Sequence, residues 1–148
     1  MLDDFDRAPV NGIELEGDSA DIYAEDTFRY FLGLERKRAE RSGQSFLLVL
    51  VEFEPRPGQP ADLDNRSAAE LFAQLLPCIR ETDFVGWYQT RRIAGTVLTQ
   101  FGDSSIAEIA DVITRRISNA LDSGISPAVR SRLQVRVHQL PAYAGRGR

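Results

Sequence analysis

Apolar positions recur along the chain with two periods, and the switches between them mark out its elements. Phe28, Phe31 and Leu32 stand at the i, i+3, i+4 spacing of one helix face. This predicts a helix that starts near Ala24–Asp26, ends in the charged run Glu35–Arg41 and is closed by Gly43. Phe46 to Phe53 is a nearly unbroken apolar run of strand length, which predicts a strand buried on both faces. The Pro-rich stretch 55–60 reads as a loop. Ala68, Phe72, Leu75, Leu76 and Ile79 restore the helical period and predict a second helix over Ser67–Arg80. Phe84–Tyr88 and Ile93–Leu98 are short strand-like runs joined by only four residues, Gln89 to Arg92, so a β-hairpin is expected. After Gly102 and Asp103 the stripe Ile106, Ile109, Ala110, Ile113, Ile117, Leu121 predicts a third helix ending at Gly124. Ser126–Pro127 opens a turn or helical stub. Leu133, Val135 and Val137 then alternate with Gln134, Arg136 and His138, the period of a half-buried strand.

The order is helix, then strand–helix–strand–strand–helix–strand. It predicts an α+β protein with a ferredoxin-like βαββαβ core, an extra N-terminal helix and an antiparallel central sheet. The helices would bury their stripes against that sheet. Residues 1–22 lack a sustained period and read as a leader, partly ordered by docking on the body. Residues 23–141 form one domain, and 142–148 a frayed tail.

Composition narrows the classes. A chain of 148 residues with 43% hydrophobic and 27% charged residues is an ordinary soluble globular domain. No apolar run approaches the roughly 18–20 residues that cross a bilayer, so membrane insertion is not expected. The first six residues are acidic where a secretory signal is basic and then apolar, so the expected location is cytoplasmic. The net charge of −4 is uneven: residues 1–26 hold nine acids and one base, leaving the rest at +4. That excess is too small to suggest nucleic-acid binding, though it suits an anionic small molecule. The acidic segment reads either as a solvated tail or as a contact for a partner. Cys78 is the only cysteine and His138 the only histidine, which excludes an intramolecular disulfide and a Cys/His zinc site. Cys78 is either a small buried hydrophobe or a reactive thiol.

Two stretches carry a family resemblance. The first is Arg80-Glu-Thr-Asp83, followed by Phe84-Val-Gly-Trp-Tyr88 and the hairpin. The second is Ser45 to Glu54, preceded by an Arg-rich helix. Together they resemble the GGDEF domain of diguanylate cyclases over about residues 24–140. In that family an Arg-x-x-Asp element closes a helix, and five residues later a hairpin presents the Gly-Gly-Asp/Glu-Glu-Phe signature. Here five residues separate Asp83 from Gln89-Thr90-Arg91-Arg92-Ile93: the spacing is kept and the signature is not. Cyclase chemistry needs a divalent metal held by carboxylates and small residues at the hairpin tip. With Gln89 and Thr90 for the glycines and Arg91 and Arg92 for the acids, the expectation is no enzyme activity and no cofactor. The family's Leu-Thr-Gly-Leu-x-Asn-Arg opening is also absent near Asp26–Arg36.

Glu52 falls where the resemblance places another metal-binding acid, with Glu54 two residues on. Without a contribution from the hairpin they are expected to be strand-end acids in solvent rather than metal ligands.

The resemblance also implies a ligand site. Cyclases of this family often bind their product, cyclic di-GMP, at Arg-x-x-Asp. A planar guanidinium forks onto two acceptors, and a carboxylate takes two donors. Arg80 and Asp83 match these positions, with Arg116 or Arg115 as the assisting arginine. The blander reading is a local salt bridge at a helix end. Arg91 and Arg92 either hold an anion or form a solvated tip, and His138 is a strand-face residue or a general base without an evident partner. Two functions follow from the resemblance: a catalytically inactive GGDEF-like regulatory module that receives cyclic di-GMP, or a ligand-free interaction scaffold. Its expected associates are cyclic di-GMP and a protein partner or a second copy in a homodimer.

Overall fold

The computed structural model describes residues 22–99 and 101–141. Residues 1–21 of the leader and the tail over 142–148 lie outside the described residues, while the leader's last residue, Ile22, is buried in a strand. The elements are β1 (Ile22–Tyr23), α1 (Glu25–Ser42), β2 (Phe46–Phe53), α2 (Asn65–Leu75), a 3-10 turn (Leu76–Cys78), β3 (Phe84–Gln89), β4 (Ile93–Leu98), α3 (Ile106–Gly124), α4 (Pro127–Arg130) and β5 (Leu133–Leu140). The sheet order is β1-β3-β4-β2-β5. Its four long strands pair antiparallel in the expected βαββαβ arrangement.

Two expectations about the architecture need correction. The sheet is mixed, because β1 adds to β3 in parallel, Ile22 opposite Val85 and Tyr23 opposite Gly86. Close backbone approach makes this pairing fit: a Cβ on Gly86 would lie 2.4 Å from the Tyr23 carbonyl oxygen. The second helix runs from Asn65 to Leu75 rather than from Ser67 to Arg80. Pro77 ends it, since proline has no N–H for the helix ladder and its ring clashes with the preceding turn. At the start, the Asp64 side chain accepts the Ser67 N–H at 2.8 Å.

The doubly apolar β2 run reflects a sheet covered on both sides. One face carries Leu47, Val49, Val51, Val85 and Trp87 against Phe72 and Leu75 of α2 and Ile113, Ile117 and Leu121 of α3. The other carries Phe46, Leu48 and Val97 against Phe28, Leu32 and Ala39 of α1. α1 therefore lies on the face opposite α2 and α3. Trp87 meets Phe72 edge-on at 4.8 Å. Gly43 takes a left-handed conformation and donates to the Ala39 carbonyl at 2.8 Å, ending α1 as expected.

Candidate functional site

Two places bear the chemistry expected from the sequence: the β3–β4 hairpin tip and the segment leading into β3.

At the tip the Arg92 N–H donates to the Gln89 carbonyl at 3.0 Å, closing a turn in which Arg91 has φ +65. That left-handed position favours glycine, and here it is held by tertiary contacts. The Arg91 guanidinium donates to the Leu63 carbonyl at 2.9 Å and to the Asn65 side-chain oxygen. The Leu63 N–H in turn donates to the Arg91 carbonyl at 2.9 Å. Arg92 lies 3.9 Å from Asp62, and its carbonyl accepts the Phe53 N–H at 2.8 Å. Thr90 donates through N–H and Oγ1 to one oxygen of Glu25 at 2.8 and 2.7 Å. Those two bonds, the hydroxyl's first, hold the Glu25 carboxyl below its ordinary value, helped by Arg29. Ile93 faces Glu52 across the β2–β4 ladder. The tip is thus fastened to the 62–65 segment by Arg91 and Arg92.

Arg132, which the sequence reading overlooked, fastens the rest of that loop. It is 4% exposed and donates to the carbonyls of Glu54 and Pro60, both at 2.9 Å, and to the Gln59 side chain at 3.3 Å. Its guanidinium lies 3.9 Å from the Phe53 ring centroid. Arg56 donates to the Ser131 carbonyl at 2.9 Å. Nothing in the local pattern marks Arg132 as buried, because it sits between the α4 stub and β5 where no period applies. Glu52 is 3.5 Å from Arg136. Among the described residues no group of three His, Cys, Asp or Glu side chains converges on a metal-sized site.

The segment before β3 brings Arg80 and Asp83 together. Asp83 Oδ2 accepts from the Arg80 backbone N–H at 2.9 Å and from Arg80 Nε at 3.2 Å. Oδ1 accepts from Arg80 Nη2 at 3.0 Å and from the Thr99 N–H at 3.3 Å. The same Nη2 donates to the Thr99 carbonyl. The Asp83 side chain has no exposed surface, whereas that of Arg80 is 47% exposed. Both Asp83 oxygens are therefore committed to this junction between β3 and the end of β4. Arg80 borders a cavity of about 590 Å³ lined also by Tyr23, Leu76, Ile79, Glu81, Asp83 and Phe84. β1 brings Tyr23 to this wall, so the smallest strand shapes the cavity.

Neither Arg115 nor Arg116 lines that cavity. Both side chains are exposed on α3. The Arg116 carbonyl is 4.0 Å from the Cys78 thiol, which also lies 3.4 Å from the Gln74 carbonyl. Burial raises the Cys78 pKa against the opposing pull of Arg116, which disfavours the reactive thiolate. His138 is exposed on β5. No described helix is long and apolar enough to cross a membrane.

The fold defines a class. No family model matches the sequence, and no curated protein matches it, yet solved structures do. The chain has the fold of a GGDEF domain. It resembles a sensory box/GGDEF family protein from Caulobacter crescentus with TM-score 0.59 and 15% identity, over 81% of this chain and 80% of that one. The isolated GGDEF domain of YfiN (TpbB) from Pseudomonas aeruginosa matches with TM-score 0.58 and 14% identity, over 81% and 72%. The GGDEF domain of DgcB from Caulobacter crescentus, solved in complex with c-di-GMP, matches with TM-score 0.54 and 11% identity, over 80% and 71%.

Proposed function

We propose that this chain is a catalytically inactive GGDEF-like regulatory module that receives cyclic di-GMP beside Arg80. The observation that carries the proposal is the contrast between the two places described above. Where metal-binding acids would stand, Arg91 and Arg92 are tied to Leu63, Asn65 and Asp62. A cation in place of a carboxylate repels the metal that phosphoryl transfer needs. Beside β3, Arg80 keeps 47% of its side chain exposed on a cavity of about 590 Å³, a size within the usual range for small-molecule sites. A structural neighbour, DgcB's GGDEF domain, is solved with this dinucleotide. Asp83 then supports the site by orienting Arg80, and Arg116 or Arg115 assists from α3 where the ligand extends beyond the cavity.

Calorimetric titration of the full chain with cyclic di-GMP tests the reading. Binding that Arg80→Ala weakens at least tenfold is expected; absence of heat up to high micromolar ligand contradicts it. Incubation with GTP and Mg²⁺ or Mn²⁺ is expected to release no pyrophosphate, and sustained turnover would overturn the claim of inactivity.

The second reading, a ligand-free interaction scaffold, is favoured by a different observation. Tyr30 and Leu34, one turn apart on α1, are 48% and 39% exposed, and apolar side chains so placed suit a protein partner or a second copy. Under that reading Arg80→Ala leaves every binding property unchanged.

A further inference from the structure

We propose that Glu81, rather than Asp83, is the carboxylate that reads the base of a guanine-bearing ligand at the Arg80 cavity; this rests on the reading that the cavity takes cyclic di-GMP. A guanine edge offers two adjacent N–H donors, and a carboxylate is the side chain that accepts both. Asp83 cannot take that role in this arrangement. Its side chain is wholly buried, and its two oxygens already accept four N–H groups from Arg80 and Thr99. Any guanine that displaced them would leave two backbone amides without acceptors, at the full desolvation cost of each.

Glu81 stands two residues earlier in the same turn, lines the cavity and is exposed. Among the described residues it takes part in none of the hydrogen bonds or ion pairs, so no structural bond is broken when it accepts from a base. Arg80 beside it supplies the positive charge for a phosphate. Tyr23, Leu76, Ile79 and Phe84 supply an apolar wall for a planar ring. One wall thus places a carboxylate, a guanidinium and an apolar surface side by side, a set complementary to a purine that carries donors and is joined to a phosphate. Adenine presents a ring nitrogen lone pair where guanine presents a donor, so the same carboxylate rejects it.

The test compares cyclic di-GMP with cyclic di-AMP on the full chain by calorimetry, for the native sequence, Glu81→Gln and Glu81→Asp. Thermal unfolding run alongside is expected to be unchanged in both variants. The native chain is expected to favour the guanine dinucleotide at least tenfold. Glu81→Gln, which loses one acceptor and adds a donor, is expected to weaken it about tenfold and to erase the preference, and Glu81→Asp to recover part of it. A preference that survives Glu81→Gln overturns this assignment and leaves the cyclic di-GMP reading standing. Failure of both dinucleotides to bind the native chain overturns the two together.

Discussion

Replacing Asp83 with alanine removes an acceptor that serves four donors at the junction of β3 and β4. The Arg80 amide, Arg80 Nε, Arg80 Nη2 and the Thr99 amide lie 2.9, 3.2, 3.0 and 3.3 Å from its oxygens. A hydrogen bond to a charged partner contributes about 1.5–3 kcal/mol, and a buried donor left unmade costs about 1–3 kcal/mol. The guanidinium is half exposed and regains water, so its share falls to about 0–1 kcal/mol. The two amides carry most of the effect, and the sum is about 3 kcal/mol, or roughly 10 °C in Tm for a domain of this size. Arg80→Ala keeps the carboxylate on both amides and is expected to cost only about 1 kcal/mol. Urea unfolding followed by fluorescence reads both, because Trp87 is the only tryptophan and is 1% exposed. Unchanged m-values would assign the effect to the native state. Equal losses for the two variants, or a loss under about 0.5 kcal/mol for Asp83→Ala, would refute the claim that Asp83 is a structural clamp.

Arg91→Gly is expected to unfold at higher urea than Arg91→Ala, by about 1 kcal/mol, because both lose the bonds to Leu63 and Asn65 but only glycine is at ease at φ +65. Gly86→Ala would drive a Cβ to 2.4 Å from the Tyr23 carbonyl oxygen and 2.9 Å from its Cβ; faster hydrogen exchange at 22–23 and weaker ligand binding are expected, because Tyr23 leaves the cavity wall. The carboxyls of Glu25 and Asp64 are held below their ordinary values, Glu25 first by the Thr90 hydroxyl and Asp64 first by the Ser67 amide. Folded pKa values below the unfolded ones mean stability that is complete above the ordinary values of 4.5 and 3.8 and is lost as pH falls through the lowered ones. Glu25→Gln and Asp64→Asn are each expected to flatten that acid limb in Tm measured from pH 7 to pH 3.

Much of the fold is legible in the sequence because periodicity reports burial. The β2 run, the four-residue hairpin connection, Gly43 and the α3 stripe each predict an element that the structure contains. Periodicity does not say which side of a sheet a stripe meets, so the placement of α1 opposite α2 and α3 was not readable. β1 has only two residues and no period at all. The early end of α2 was readable from Pro77 and was masked by apolar residues that continue in helical register to Ile79. At the site, the i,i+3 spacing of Arg80 and Asp83 brings them together as the local salt bridge that the sequence allows. What spacing cannot convey is occupancy: the four donors on Asp83 include an amide sixteen residues away. Arg132 was missed for a related reason, since a lone arginine is ordinarily exposed and its three acceptors lie more than seventy residues earlier.

Amide NMR of the full chain titrated with cyclic di-GMP tests the central claim by location. Saturable shifts are expected at 79–84 and at Tyr23, with the hairpin residues 89–93 and the loop residues 62–65 unmoved. Shifts confined to 89–93 and 62–65, or no saturable shift at any residue, would contradict the account.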